Sequence, residues 1–294
     1  MLKGWLACPT CGGELVEDGD LLRSPDCDAT FGRLGRWLDL VDRRQKVSSE
    51  GPGDTRAMAW RRRRWDELRG PRAPENADYL AAVWERLRPD DRVLDLGCGP
   101  ATLLGWMAEF APELAILGLD LSAAALEEAE QAVAGHPNVA LARASTRRRL
   151  PVREASCDLV LRRLAPGLHE EVARVLAPGG YYLRFTFGPG HWREVYDLMP
   201  GLPRARGDAL AGESDHLRAL GLEVGEPILR AGFDEVTAAA VMLALRSNPA
   251  AFHARRVDFQ PLRALWRADG GRRERARLST EYAILVARKP TGCV

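Results

Sequence analysis

An apolar strand that runs directly into two closely spaced glycines constrains the fold of this chain more than any other feature. The segment is Val93-Leu94-Asp95-Leu96-Gly97-Cys98-Gly99-Pro100, and the next strand pattern ends in Gly118-Leu119-Asp120. Glycines at 97 and 99 let the backbone turn sharply and approach a ligand, because no Cβ intervenes. A carboxylate at the tip of the second strand can accept hydrogen bonds from a ribose diol. The pattern therefore predicts a nucleoside-binding site.

The residues around the two glycines distinguish between nucleoside ligands. A dinucleotide fingerprint would carry a third glycine at the position of Thr102. Asp95 precedes the first glycine, and its negative charge would repel a pyrophosphate but attract the sulfonium and amino groups of S-adenosylmethionine. The motif therefore favours S-adenosylmethionine as the cofactor.

Helical and strand patterns alternate regularly from Tyr79 onward. Alternation of this kind predicts an α/β fold, a Rossmann-like, doubly wound and mostly parallel sheet with the ligand at the carboxyl ends of its first strands. Strands are predicted at 92–96, 115–119, 138–142, 157–162, 180–187, near 227–230 and at 281–288. Helices are predicted at 55–68, 79–87, 101–110, 122–134, 168–176 and 191–199.

The length and composition of the chain limit the classes of protein it can belong to. The chain has 294 residues, 46% of them hydrophobic, which suffices for one large domain with a smaller one attached. No apolar run reaches the length of a membrane span, and the N-terminus lacks the apolar region of a signal peptide. We therefore expect a cytoplasmic protein with no membrane partner. The six scattered cysteines do not form the dense set of a disulfide scaffold.

Residues 1–42 have the outline of a small zinc-ribbon-like module. A first turn, Cys8-Pro9-Thr10-Cys11-Gly12-Gly13, is followed by Ser24-Pro25-Asp26-Cys27 with the same spacing. A structural zinc site takes four thiolate or imidazole ligands, and here Ser24 stands where the first turn has Cys8. The predicted metal ligands are therefore Cys8, Cys11 and Cys27. Asp26 or Asp28 could complete the site, or the ribbon is degenerate and has lost its metal.

Residues 43–78 form a basic linker with one helix, and residues 79–294 form the large domain. Lysine occurs only at positions 3, 46 and 289, so nearly all basic residues of the chain are arginines. The run from Arg61 to Arg64 has two interpretations. It is a surface that follows the phosphates of RNA, or it is the solvated face of a helix in an arginine-biased composition.

Several motifs of the large domain resemble those of class I S-adenosylmethionine-dependent methyltransferases, which have a seven-stranded sheet. They are Val93 to Pro100, Asp120, Leu150-Pro151, Ser156 to Val160, and Val175 to Gly180. The resemblance implies that Asp95, Gly97 and Gly99 cradle the methionine end of the cofactor. It also implies that Asp120 holds the ribose, that Leu121 packs on the adenine, and that Ser145 or Thr146 takes the place of a residue that contacts the adenine amine.

The arginine pair at the fourth strand of this domain, Arg162 and Arg163, has more than one interpretation. Arg162 and Arg163 stand where many amine-directed relatives carry an Asn-Pro-Pro-Tyr or Asp-Pro-Pro-Tyr sequence, which disfavours methylation of an exocyclic amine. Arg162 is a candidate ligand for the cofactor carboxylate or for substrate phosphates. Packing at the edge of the strand would explain both arginines equally well.

A narrower resemblance, to the RlmA-type 23S rRNA (guanine-N1)-methyltransferases, runs nearly from end to end. It rests on the N-terminal Cys-x-x-Cys unit, Pro52 to Thr55 with Met58, Leu164-Ala165-Pro166, Gly188 to His191, and Asn248 to Phe252. The resemblance implies 23S rRNA as the partner and a zinc-binding N-terminal module for RNA. The chain departs from the family pattern in its second metal pair, where no histidine occurs before position 136.

Removal of the proton from guanine N1 calls for a general base, and His191 and Asp54 are the predicted catalytic residues because they lie in two family-like loops. His191 could instead begin a helix, and Asp54 could cap one. Two other functions stay open: methylation of a small molecule such as an antibiotic or metabolite, and RNA binding without catalysis. The sequence also leaves open a homodimer, and a role in antibiotic resistance as opposed to housekeeping modification.

Overall fold

The computed structural model describes residues 4–41, 55–202, 209–246, 258–268, 271–272 and 274–292. Asp54, one of the two predicted catalytic residues, lies outside the described residues. The same holds for residues 248–252, which contributed to the resemblance. No helix within these ranges is long and apolar enough to cross a membrane.

The elements follow one another in a ribbon, a helical pair and a large α/β unit. The strands are β1 Val16–Asp18, β2 Leu21–Arg23, β3 Thr30–Leu34, β4 Trp37–Asp39, β5 Arg92–Leu96, β6 Ala115–Asp120, β7 Val139–Arg143, β8 Cys157–Arg163, β9 Leu176–Phe187, β10 Glu223–Val224, β11 Ile228–Thr237, β12 Arg267–Ala268, β13 Gly271–Arg272 and β14 Arg275–Arg288. The helices are α1 Arg56–Arg69, α2 Pro74–Trp84, α3 Thr102–Phe110, α4 Ala123–Ala132, α5 His169–Val175, α6 Arg193–Leu198, α7 Ala209–Ala219 and α8 Ala238–Arg246, with a 3-10 helix at Gln260–Trp266.

The central sheet has the strand order β7-β6-β5-β8-β9-β14-β11, and its first five strands are parallel. β14 is antiparallel to β9 and to β11. The order reverses direction at β5, which is the switch point where open α/β sheets bind their ligands. The predicted α/β, Rossmann-like fold is therefore confirmed, with a mixed rather than purely parallel sheet.

The ribbon is joined to this sheet through its last strand. β1, β2, β3 and β4 form an antiparallel meander, and β4 then pairs in parallel with β7. An isolated bridge links Leu6 to Val152, and Trp5 is fully buried, with its indole N–H 3.4 Å from the sulfur of Cys157. The ribbon and the large unit therefore share one hydrogen-bonded sheet and one apolar core.

Apolar side chains fill both faces of the central sheet, as expected for parallel strands covered by helices on each side. Val93, Leu159 and Leu161 face one layer of the core, whereas Leu94 and Val160 face the other. A third apolar cluster joins α6, α8 and the 3-10 helix around Trp192 and Trp266. These layers fix the strand ends rigidly at the edge where the glycine turn lies.

Most predicted strands and helices of the large unit have bounds within two residues of the predicted ones. Larger differences occur at α2, β9, β11 and β14. The helix predicted at 79–87 begins earlier, at Pro74, because proline is well suited to the first turn of a helix. The strand predicted near 227–230 is the start of the longer β11, and the strand predicted at 281–288 is the C-terminal part of β14; β11 and β14 pair along ten residues. The prediction contained neither α7 nor α8.

Candidate active site

The glycine turn after β5 has the left-handed backbone that its sequence predicts. Gly97 has φ 77° and Gly99 has φ 55°, and the amides of Gly97 and Cys98 both donate to the carbonyl of Leu119 at 2.7 and 3.0 Å. A Cβ on Gly97 would collide with the methyl group of Ala165. Apart from its chain neighbours, no described residue has an atom within 4 Å of the place where a Cβ on Gly99 would be, so there is room for a ligand to approach the backbone there.

Asp95 lies directly beneath this turn and is almost completely buried, with 3% of its surface exposed. Its Oδ1 atom has no hydrogen-bond partner among the described residues. Burial raises the pKa of Asp95 to about 7, while the nearby charge of Arg163 lowers it and that of Asp120 raises it. A buried acceptor without a partner is costly, and a donor from a bound ligand could satisfy this one.

Asp120 lies at the end of β6, where its carboxylate holds the two neighbouring loops together. Oδ2 accepts from the amide of Gly99 and Oδ1 from the amide of Ser122, both at 2.8 Å. The next residue, Leu121, accepts at its carbonyl from Nε of Arg143 at 3.0 Å. Asp120 therefore lies beside the glycine turn, as the sequence predicts.

Residues 144–146 and 164–168 close the site from the other side. The amide of Ala144 donates to the carbonyl of Asp120 at 3.0 Å, and the amide of Leu168 donates to the carbonyl of Thr146 at 3.2 Å. Thr146 is buried, and the hydroxyl of Ser145 accepts from the amide of Arg147 at 3.3 Å. The glycine turn is thus bonded to Asp120, and Asp120 to Ala144. Residues 144–146 are in turn bonded to residues 164–168, whose Ala165 lies beside Gly97.

The two arginines at the end of β8 point to opposite faces of the sheet. Asp95 pairs with Leu161, so Arg163 shares its face and Arg162 does not. The Arg162 guanidinium donates to the carbonyl of Gly167 at 3.0 Å and pairs with Glu213 of α7, whose pKa falls to about 2 although burial opposes this shift. The structure therefore does not bring Arg162 together with Asp95, and Arg163 takes that place.

Three charged residues of the linker region, which the sequence did not single out, lie close to Arg163 and to the end of β11. Asp66 of α1 lies 3.6 Å from Arg163, and burial raises its pKa. Arg69 binds both carboxylate oxygens of Glu75, at 2.9 and 2.8 Å, and also contacts Asp234. The sequence gives no signal for these residues. Their ion-pair partners lie far away in the chain or in a neighbouring helix, and only folding brings them together.

His191 lies in the loop after β9, within a row of aromatic rings. Its ring stacks on Phe187 with centroids 3.8 Å apart and on Trp192 at 5.2 Å, and Trp192 meets Trp65 of α1 edge to face at 5.5 Å. Burial lowers the pKa of His191 to about 4, and its Nδ1 atom has no partner among the described residues. The imidazole is therefore uncharged at neutral pH.

The predicted metal ligands come together in the ribbon. The sulfur atoms of Cys8, Cys11 and Cys27 lie within 4.8 Å of one another. The hydroxyl of buried Ser24 is 3.3 Å from the sulfur of Cys11, so it lies beside the three sulfur atoms. A hydrogen bond from Ser24 is the main cause that lowers the pKa of Cys27 to about 7. Asp28, one predicted substitute ligand, is paired with Arg23 at 2.6 Å.

Comparisons with known proteins agree with this geometry. A family model described as a methyltransferase domain matches residues 93–180. The 23S rRNA (guanine(748)-N(1))-methyltransferase of Streptomyces fradiae is 27% identical over 263 residues, covering 85% of this chain and 86% of the relative. The malonyl-[acyl-carrier protein] O-methyltransferase of a Marinomonas strain is 34% identical over 139 residues, which cover 43% of this chain but only 51% of the relative.

Solved structures show the same fold. The YcgJ protein of Bacillus subtilis has 18% sequence identity and a TM-score of 0.51, covering 74% of this chain and all of that one. Fold, glycine turn and sequence similarity together define a class I S-adenosylmethionine-dependent methyltransferase. Within this class, the chain is similar along most of its length to a 23S rRNA (guanine-N1)-methyltransferase, so the resemblance found in the sequence is confirmed.

Proposed function

We propose that this protein transfers the methyl group of S-adenosylmethionine to RNA, at N1 of a guanine in 23S rRNA. The observation that carries the proposal is the extent of the similarity to the Streptomyces fradiae enzyme, which reaches far beyond residues 93–180. The match to the malonyl-[acyl-carrier protein] O-methyltransferase covers less than half of the chain. A shared cofactor domain would explain that shorter match without a shared substrate.

The residues of the site fit S-adenosylmethionine. The unpartnered Oδ1 of buried Asp95 would accept from the amino group of the methionine end, and the open backbone at Gly99 leaves room for it. Asp120 would hold the ribose hydroxyls, and Leu121 with Thr146 would border the adenine. Arg163 shares the Asp95 face and lowers the pKa of that carboxyl, which keeps it available as an acceptor. When bound, the cofactor supplies an electrophilic methyl group.

The chain's contribution to the transfer is the placement of the acceptor base beside that methyl group, in a pocket that excludes water. The aromatic row around His191 offers a surface on which an RNA base can stack. With a pKa of about 4, His191 is a weak base at neutral pH, so we give it the role of an uncharged hydrogen-bond acceptor through Nδ1. Asp54 remains a second proposed base.

We further propose that the ribbon binds zinc through Cys8, Cys11 and Cys27, with the Ser24 hydroxyl at the fourth position. The spacing of the three sulfur atoms suits a tetrahedral site, and both turns have the same backbone. The amide of Gly12 donates to the carbonyl of Cys8 at 2.8 Å, and that of Asp28 to the carbonyl of Ser24 at 2.9 Å. Zinc would tie the two turns together.

The experiment that tests the proposed function is methyl transfer from labelled S-adenosylmethionine to unmodified 23S rRNA, followed by primer extension. Methylation at N1 blocks the pairing edge of guanine, so we expect one discrete stop. RNA incubated without the cofactor is the control. Measurable cofactor binding with no incorporation into RNA would overturn the proposed substrate and favour a small-molecule acceptor.

A further inference from the structure

Three arginines of α1, two of them in the Arg61 to Arg64 run, are paired with carboxylates of the protein. Arg56 pairs with Glu127 at 2.7 Å and Arg63 with Glu128 at 2.9 Å, and both carboxylates belong to α4. Arg64 pairs with Glu67, also at 2.9 Å, on its own helix. Arg56 and Arg63 join α1 to the large unit, and each of the three arginines already has a carboxylate partner. Their pairing favours the structural interpretation of the run.

A second arginine cluster, Arg147-Arg148-Arg149, differs because its side chains are not paired with carboxylates of the described residues. All three side chains are exposed, and no carboxylate of the described residues lies within ion-pair distance of them. Arg149 is near enough to Glu171 to help lower its pKa, but Glu171 is itself bound to Arg174 at 2.5 Å. Three adjacent guanidinium groups therefore face solvent without a counter-charge from the described part of the chain.

The position of this cluster connects the ribbon to the cofactor site. Arg147 directly follows Thr146, which borders the site at the end of β7. The guanidinium of Arg149 lies over Gly12 of the first ribbon turn, so closely that a Cβ on that glycine would collide with it. An anion bound to the cluster would lie next to both the Cys8–Cys11 turn and the opening of the cofactor site.

We propose that Arg147, Arg148 and Arg149 form the site at which the phosphate backbone of the substrate RNA docks, beside the first ribbon turn. The inference rests on the proposed function and adds the surface that holds the RNA. Guanidinium groups bind phosphate oxygens in a bidentate manner, and phosphate contacts fix the register of a nucleic acid on a protein. The chain has almost equal numbers of basic and acidic residues, so the attraction must come from a local cluster such as this one.

The test compares two triple variants that remove the same charge. One is R147Q/R148Q/R149Q, and the matched control is R56Q/R63Q/R64Q in α1. The dissociation constant for an in-vitro transcript of unmodified 23S rRNA is measured by filter binding between 50 and 200 mM salt. Loss of three phosphate contacts should reduce the steepness of the plot of log association constant against log salt by about 2 to 3 units of slope. Salt would then weaken the variant roughly 16- to 64-fold less than the wild type over this range.

For the control, we expect the wild-type slope, because the three arginines that it replaces are already paired with carboxylates. The affinity of both variants for S-adenosylmethionine, measured by calorimetry, should equal that of the wild type, which shows that the fold is intact. The single variant R148Q should lower the slope by about one and serves if the triple variant fails to fold. Equal slopes for the two triple variants would overturn the inference while leaving the RNA substrate in place. Absence of salt-dependent RNA binding by the wild type would instead overturn the proposed function.

Discussion

The substitution D95N tests the central electrostatic claim about the site, because it keeps the shape of the side chain and removes its charge. The pKa of Asp95 is about 7 in the folded protein, against 3.8 as its ordinary value. The folded state therefore holds a proton that the unfolded state has lost between these two pH values, and stability falls as pH rises through this window. At 1.36 kcal/mol per pKa unit, ionisation of Asp95 costs about 4 kcal/mol above pH 7.

We expect D95N to raise the free energy of unfolding of the ligand-free protein by up to about 4 kcal/mol at pH 8. The gain should shrink to less than about 2 kcal/mol at pH 5, where the folded wild type is already protonated. Urea unfolding at both pH values measures the difference. Calorimetry should show S-adenosylmethionine binding weakened by about tenfold or more, because a hydrogen bond to a charged group contributes about 1.5 to 3 kcal/mol.

The control for this prediction is D158N. Asp158 lies near the start of β8, at the opposite end of that strand from Arg163, and accepts from the amide of Arg92 at 2.9 Å. An asparagine oxygen can accept the same bond, so this variant should bind the cofactor normally. The reasoning is refuted if D95N is less stable than the wild type at pH 8, or if it binds the cofactor with unchanged affinity.

Two further substitutions test the ribbon and the aromatic row. S24C would give the ribbon four thiolates, so zinc should bind more tightly than in the wild type, in competition with a chromogenic chelator; equal affinity would contradict the fourth position proposed for Ser24. H191F keeps the stack on Phe187 and should lower kcat less than about tenfold, with the same pH profile from pH 6 to 8, because His191 is already uncharged there. A loss of a hundredfold or more, the usual effect of removing a general base, would contradict this assignment.

The parts of the fold that the sequence predicts well are those with a strong local signal. β5 and β6 are short, mainly apolar segments, followed by Gly97 and ended by Asp120 respectively, and their bounds are reproduced almost residue by residue. α7 carries Gly212 and Ser214 in its middle, so its local helix propensity is weak. Burial of Leu217 and of the Ser214 hydroxyl, which donates to the carbonyl of Leu210 at 2.9 Å, stabilises it instead.

The site residues also divide into those with a local sequence signal and those without one. Asp95 and the two glycines belong to one contiguous motif, Asp120 ends the next strand, and the structure places Asp120 beside the glycine turn. The choice between Arg162 and Arg163 depends on strand parity at the end of β8, which a one-residue shift in register would invert. Asp66 and Glu75 reach the site from α1 and α2, so only the packing of those helices against the sheet reveals their position.

The burial of Trp5 has a consequence for how the chain is made. The ribbon leaves the ribosome first, but the partner of the Trp5 indole, Cys157, lies 152 residues further along the chain. At a synthesis rate of about 5 to 20 residues per second, this interval is about 8 to 30 s. During that time the Trp5 indole lacks this partner, and β4 lacks β7 until residues 139–143 have been synthesised. Burial of Trp5 and pairing of β4 therefore depend on segments that are synthesised much later than the ribbon.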